Sequence, residues 1–358
     1  HGPIVYALQK YDFLVLFPIN PASLASYRET FAPSRAKDDP TDAELALDFL
    51  VRHPEQCKPL RLQGPEIREL TFLVEQRRQW VNDRVRLSNR LVNALKQYYP
   101  QSLEWFACHD TVLFCDFLER WPTPLQARRA RRATLEKFFR EHNCRKASLI
   151  ETRIEAIKMT QVMTHDVAVI HAHALQVQLL AGQVLGIIEA IERYDASIAA
   201  LAFSHPDYGL FSALPGAGQA LAPRLLAAFG EHRDRFGSAD EVQMYVGVAP
   251  VTERSGKKCW IHWRLQCPTF VRQSFVEWAA KSIHCSYWAG AYYRQQRAKG
   301  SDHQSALRAL AFKWIRILYR CWKTYTPYDE STYLNALRRR GSPLVKLLSE
   351  ADTIAAAN

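Results

Sequence analysis

The spacing of apolar residues changes several times along the chain, and each change predicts a different element. Ile4 to Lys10 reads as the end of a helix, and Phe13-Leu-Val-Leu-Phe-Pro-Ile19 is a short continuous apolar run of the kind a buried parallel strand gives. Asn20-Pro-Ala-Ser begins a helix with proline in its first turn. After the polar loop Arg35-Ala-Lys-Asp-Asp, the segment Asp39-Pro-Thr-Asp42 opens another helix that runs to about Arg52. The start of the chain is therefore expected to be a helix–strand–helix piece of a sheet whose earlier strands are absent from it.

From residue 65 to 200 the period is helical. Ile67, Leu70, Val74, Val81, Val85, Val92 and Leu95 recur every three or four positions, longer than a usual globular helix and suited to a coiled-coil or helical-hairpin arm. Prolines 100, 122 and 124 interrupt the pattern. A second long stretch runs from about Leu149 to Ala200, apolar at Ile150, Ile154, Ile157, Leu180, Val184, Ile187 and Ile191. Between them Arg128, Arg129, Arg131 and Arg132 form a basic patch, either an exposed helix face or a nucleic-acid contact. His171 and His173 lie two apart in helical pattern and point to different faces, which does not suit a shared metal.

A new domain is expected to begin near Leu210. Leu214-Pro-Gly-Ala-Gly-Gln-Ala before the helix Leu221–Phe229 reads as a turn between helices. Gly216 and Gly218 there permit close backbone approach, and the following helix offers its first N–H groups to a phosphate, as in a helix-hairpin-helix module. No nucleotide-fold context surrounds these glycines, which excludes a dinucleotide site.

Composition narrows the class. The 358 residues carry 48% hydrophobic and 23% charged residues, a globular balance with room for two or three domains. No continuous apolar run reaches the roughly 18 residues of a membrane span, and the first residues do not read as a signal peptide, so a soluble, cytosolic protein is expected. The eight cysteines contain no C-x-x-C pair, which argues against zinc and for reduced thiols. The net charge is +11, and Val251 to Tyr325 holds fourteen Lys/Arg against three Asp/Glu, so this one segment carries the whole excess. Such a one-sign segment suits phosphate. Trp260, Trp263, Trp278, Trp288, Trp314 and Trp322 interleave with it, a pattern expected either of nucleic-acid contact or of an aromatic core beneath a charged face.

Two constellations could carry chemistry. Asp39 and Asp42, three apart across a helix start, can converge on Mg²⁺, although an acid-rich first turn with proline is also an ordinary helix beginning. Two carboxylates make a thin site without partners from elsewhere. The second is Val248-Ala-Pro250-Val-Thr-Glu-Arg254-Ser255-Gly256-Lys257-Lys258. Its cations could favour the Ser255 alkoxide and neutralise a scissile phosphate. The alternative is a turn serine beside phosphate-clamping lysines.

Taken in order, Lys37-x-Asp39-x-x-Asp42-Ala, the helical arm, Leu214-Pro-Gly-x-Gly, Val246-Gly-Val-Ala-Pro250 and Arg254-Ser-Gly-Lys-Lys resemble the DEDD-type transposases of bacterial insertion sequences, the recombinases associated with a bridge RNA. The resemblance spans essentially the whole chain and is most specific over 214–325. It implies a mixed, mostly α fold: an incomplete RuvC-like (RNase H-like) α/β domain over 1–64, a helical coiled-coil arm over 65–208, a helical transposase domain over 209–330 with the helix-hairpin-helix-like turn, and a tail over 331–358. It makes Ser255 the nucleophile and Asp39 and Asp42 the third and fourth of four Mg²⁺-binding acids. Gly216, Gly218, Arg254, Lys257, Lys258, Arg264 and Arg272 become the expected nucleic-acid contacts. DNA, a guide RNA and further copies of the chain, dimer to tetramer, are the implied partners. No acid matching the family's first Asp and Glu precedes Asp12, so a truncated member inactive in strand exchange is expected. A non-catalytic nucleic-acid binder and a Mg²⁺-dependent junction nuclease are the competing readings.

Overall fold

A computed structural model describes residues 2–8, 10–31 and 38–344. The chain divides into two compact units, His1–Gly64 and Pro65–Asn358. Lys37 of the acidic motif and residues 345–358 of the expected tail lie outside the described residues.

The first unit holds α1 (Pro3–Leu8), α2 (Pro21–Glu29), α3 (Asp39–Arg52) and a 3₁₀ turn, Pro54–Gln56. Asn20 caps α2 as its sequence suggests, its side chain accepting from Ala22 N at 2.9 Å. Tyr27 of α2 meets Phe31 and Phe49 edge-on, with centroids 5.2 Å apart in both pairs. The expected buried strand over Phe13–Ile19 is not there. Phe13 lies in a turn and is 80% exposed, Val15 is exposed too, and the segment is held by a local bond from Leu14 N to Tyr11 O and a longer-range one from Leu60 N to Leu16 O. A ladder needs a neighbouring strand, and among the described residues the only sheet lies elsewhere in the chain. The described part of this unit is helical rather than α/β.

The second unit is built on two long helices. These are α4 (Pro65–Tyr98, 34 residues) and α10 (Val167–Ser204, 38 residues), each over 50 Å at about 1.5 Å per residue. They run antiparallel. Ile67, Leu70 and Val74 share a core with Ile198 and Ala202, while Leu91, Leu95 and Tyr98 share a second core with Ala174, Val177 and Leu180. Between the cores polar links take over: Arg77 donates to Asp195 (Nη2 to Oδ2, 2.8 Å) and Tyr194 OH to Gln76 at 2.9 Å. Val85, expected on the apolar face, is exposed there.

At one end of the pair stand α5 (Ser102–Trp105), α6 (Val112–Arg120), α7 (Pro124–Arg129), α8 (Arg132–Glu141) and α9 (Ala147–Lys158), around Phe114, Phe117 and Phe139. The stretch expected to be one long helix from Leu149 is two. Residues 159–166 break it, because the Asp166 carboxylate accepts from Ala168 N at 2.9 Å and starts α10 afresh. By length and composition α10 could cross a membrane, which the absence of a continuous apolar run had not suggested. Its Val177, Leu180, Val184 and Ile198 are buried in the two cores, the position of a core helix.

At the other end are α11 (Tyr208–Ser212), α12 (Gly218–Phe229), α13 (Ala239–Val246), the hairpin β1 (Val251–Ser255) and β2 (Lys258–His262), α14 (Thr269–Ser282), α15 (Tyr287–Ala298), α16 (His303–Thr324) and α17 (Glu330–Arg339). Their core is a tryptophan cluster. Trp314 lies 5.0 Å from Trp278 and 4.6 Å from Trp288, ring to ring, and these with Trp322 are completely buried. Every indole N–H is satisfied: Trp278 by Pro215 O, Trp314 by Ser282 Oγ, Trp288 by Tyr328 OH and Trp322 by Gly230 O. Four of the six tryptophans in the basic segment are therefore core and not contact surface.

Candidate nucleic-acid interface

The tryptophan core positions the glycine turn. Trp278 holds Pro215 O, and this brings Gly216 against the end of α14. Gly216 has φ +75°, and a Cβ there would lie 2.8 Å from the Lys281 carbonyl carbon and 2.9 Å from Ser282 N. Its lack of a side chain serves packing between helices. Gly218 also has a positive φ, +53°, but nothing lies within 4 Å of a Cβ placed on it, so it leaves the start of α12 open to solvent.

The Val246-Gly-Val-Ala-Pro250 motif is the device that leaves α13 and enters the hairpin. Gly247 takes the left-handed conformation, φ +79°, and the Gln243 carbonyl accepts from the N–H groups of Gly247, Val248 and Ala249. The buried Gln243 side chain donates to Phe312 O at 2.8 Å and fixes that corner to α16. A Cβ on Gly247 would overlap Cys267, with the Cys267 Cβ at 2.7 Å.

From this corner β1 and β2 project as an exposed two-stranded hairpin. Ser255 pairs with Lys258 and Arg254 with Cys259, which leaves Gly256-Lys257 as a two-residue loop. Gly256 has φ +57° at the first central position, where a II′ turn requires it. Side chains alternate between faces, so Ser255, Lys258, Glu253 and Trp260 share one face while Arg254 and Cys259 share the other. A contact between Glu253 Oε2 and His262 Nε2, 3.1 Å, spans the first face. Two of the three cations flanking the serine in sequence thus stand in different relations to it: Lys258 lies across the ladder, and Arg254 points away.

At the base of the hairpin a second cationic group forms. Arg272 of α14 donates to Arg264 O at 3.2 Å. The Arg308 guanidinium carbon of α16 lies over the half-exposed Trp263 ring, 3.0 Å from its centroid. Burial and then the Arg272 charge hold the Arg308 guanidinium below its usual value, opposed by Asp302. Sequence reasoning missed Arg308. It sits in an amphipathic helix, and only the fold brings it to Trp263.

Asp39 and Asp42 belong to the first unit, whereas the other expected site residues belong to the second. Asp38, not Asp39, caps α3, accepting from Thr41 Oγ1 at 3.1 Å. Asp39 and Pro40 then form the first turn. Asp42 is paired with Arg28 of α2, both largely buried. A guanidinium on one carboxylate competes with a divalent cation. Among the described residues no group of three or more His, Cys, Asp or Glu could hold a metal, so this acid pair does not fit Mg²⁺ unaided.

Two segments of the chain match known protein families. Residues 1–100 match the DEDD model of IS110, described as transposase, and residues 208–294 match the transposase IS116/IS110/IS902 family. A candidate transposase of the IS117 mini-circle from Streptomyces coelicolor is 28% identical over 92% of this chain and 81% of its own length. The uncharacterised 43.6 kDa protein of insertion element IS110 from the same species is 28% identical over 83% of this chain and 73% of its own. An uncharacterised 42 kDa protein of IS900 from Mycobacterium paratuberculosis is 25% identical over 83% of this chain and 74% of its own. These matches make the chain a DNA transposase. Its two matched segments are similar to the IS110 family of DEDD transposases.

Proposed function

We propose that this transposase cuts and rejoins DNA through Ser255, with the hairpin as the element that reaches the scissile phosphate. The carrying observation is the exposed position of Ser255 beside the turn, paired across the ladder with Lys258. In the proposed step the Ser255 Oγ–P bond forms and the P–O3′ bond breaks. The hydroxyl proton passes to solvent and the leaving O3′ takes up a proton, which gives a phosphoserine link to the 5′ side and a free 3′-OH. Attack of another strand's 3′-OH on that phosphorus then releases Ser255, so the phosphodiester count is conserved. Lys258 and Lys257 would neutralise the phosphate, and Arg254, Arg264 and Arg272 would hold the flanking backbone. The open start of α12 at Gly218 would add backbone N–H donors, with Gly216 setting the turn that presents them.

Guide RNA, assembly of several copies and location in the bacterial cytoplasm follow from the same reading. Mg²⁺ at Asp39 and Asp42 would require further acids, and no step is assigned to it. The Asp42–Arg28 pair favours a second reading, a transposase chain that binds DNA without cutting it. Trapping a covalent protein–DNA adduct decides between them. An adduct lost in Ser255→Ala is expected; binding without adduct selects the second reading, and hydrolysis without adduct a junction nuclease.

A further inference from the structure

We propose that Arg224 and Arg78, meeting where α4, α12 and α14 converge, form a phosphate-binding site separate from the hairpin. Arg224 rises from α12 with its side chain only 12% exposed and its guanidinium 4.8 Å over the Phe270 ring. Its Nε donates to Ser274 Oγ at 2.9 Å and its Nη1 to Glu277 Oε2 at 2.7 Å. Its Nη2 is buried with no acceptor. Arg78, on α4, places Nη1 3.5 Å from Glu277 Oε1, and its Nε is likewise buried without an acceptor. The neighbouring Arg77 is committed to Asp195.

One carboxylate therefore serves two guanidinium groups, and it also accepts from Gln273 at 2.8 Å. Arginine cannot shed its proton to escape burial, so the unmatched N–H groups call for an acceptor from outside. A phosphate offers several oxygens in a tetrahedral array and matches converging guanidinium groups better than a single carbonyl does. Arg78 and Glu277, about a third exposed, leave the entrance open. Arg224 also lies on the helix that begins at the open Gly218, so a strand held there could continue to this junction.

The phosphate could come from a nucleic-acid backbone, which rests on the DNA-binding reading above, or from the free anion, which does not. The test uses the full chain and the variants Arg78→Ala and Glu277→Gln, neither of which empties the core. Duplex DNA affinity is measured over a salt series, and melting temperature in inorganic phosphate against chloride at equal ionic strength. For a backbone phosphate, Arg78→Ala should flatten the log–log salt slope by about 0.9, and Glu277→Gln should tighten binding. For the free anion, phosphate should raise the wild-type melting temperature and Arg78→Ala should abolish that rise. If both variants match wild type in the salt slope and in the phosphate response, the site is overturned. Loss of the adduct in Ser255→Ala moves neither readout, so failure of the nucleophile and failure of this site are distinguishable.

Discussion

Ser255 stands opposite Lys258 in the last pair before the Gly256-Lys257 loop, whereas Arg254, its neighbour in sequence, lies on the reverse face of the hairpin. Adjacency in sequence therefore misranks the two cations. Lys258→Ala should slow formation of the covalent DNA adduct by roughly tenfold to a hundredfold, the lower range for removing one charge-stabilising donor at an open site. Arg254→Ala should weaken DNA affinity and flatten its salt dependence while leaving the rate of adduct formation at saturating DNA near wild type. Single-turnover adduct kinetics at saturating DNA measure this difference. Equal rate losses in the two variants would show that the faces are not distinct.

Gly247→Ala should destabilise the second unit by about 2–4 kcal/mol, from left-handed strain of about 1–2 kcal/mol plus overpacking against Cys267. In Gly247→Ala/Cys267→Gly the overpacking is relieved and the strain stays, so about half the loss should return. Gly216→Ala should resist any such rescue, because its added Cβ meets the backbone of Lys281 and Ser282. Denaturant melts and a double-mutant cycle for the Gly247–Cys267 pair test this.

Helix starts were legible because they are written in short-range chemistry. Asn20 with Pro21 announced α2, and the Asp-rich, proline-bearing turn announced α3 to within one residue of its cap. The apolar face of α4 was legible at both ends, where Ile67 and Leu95 are buried, and misleading in the middle, where Val85 has no core to enter. Phe13–Ile19 read as a strand because a short apolar run looks the same whether or not a sheet accepts it. The β1–β2 hairpin had no apolar alternation to reveal it, since nearly all its side chains are exposed. Its signal was Gly256 alone. Arg308 and Arg224 became visible only when helices distant in sequence were packed together.

The contact between α2 and α3 should depend on pH at both ends of one hydrogen bond. Tyr27 OH donates to Asp48 Oδ2 at 2.6 Å. This bond, with a second from Arg52, holds the Asp48 carboxyl below its usual range, and the same bond raises the Tyr27 hydroxyl. A depressed carboxylate contributes stability above its unfolded pKa of about 3.9, and that contribution fades as pH falls through the folded value. A raised tyrosine contributes below about 10 and loses the contribution as pH rises through its folded value. Amide protection factors in α2 and α3, which correct exchange rates for their intrinsic pH dependence, should therefore be largest between these limits. Tyr27→Phe should flatten both flanks, and an unchanged profile in that variant would assign the acid response to other groups.

Cysteine labelling can map which face meets DNA without any catalytic assay. Cys108, Cys259 and Cys285 are exposed, whereas Cys115 is buried and its thiol is pushed up to about 12, so at pH 8 the first three should react with a thiol reagent and Cys115 should not. Cys259 lies on β2 opposite Arg254, and Cys108 lies in the α5–α6 connection of the other lobe. Saturating duplex DNA should slow labelling of Cys259 by at least tenfold and leave Cys108 unchanged. Peptide mapping after timed labelling reads each site separately. Protection of Cys108 with Cys259 still reactive would move the interface to the lobe that carries Arg129 and Arg131, and would separate Ser255 from the DNA it is proposed to cut.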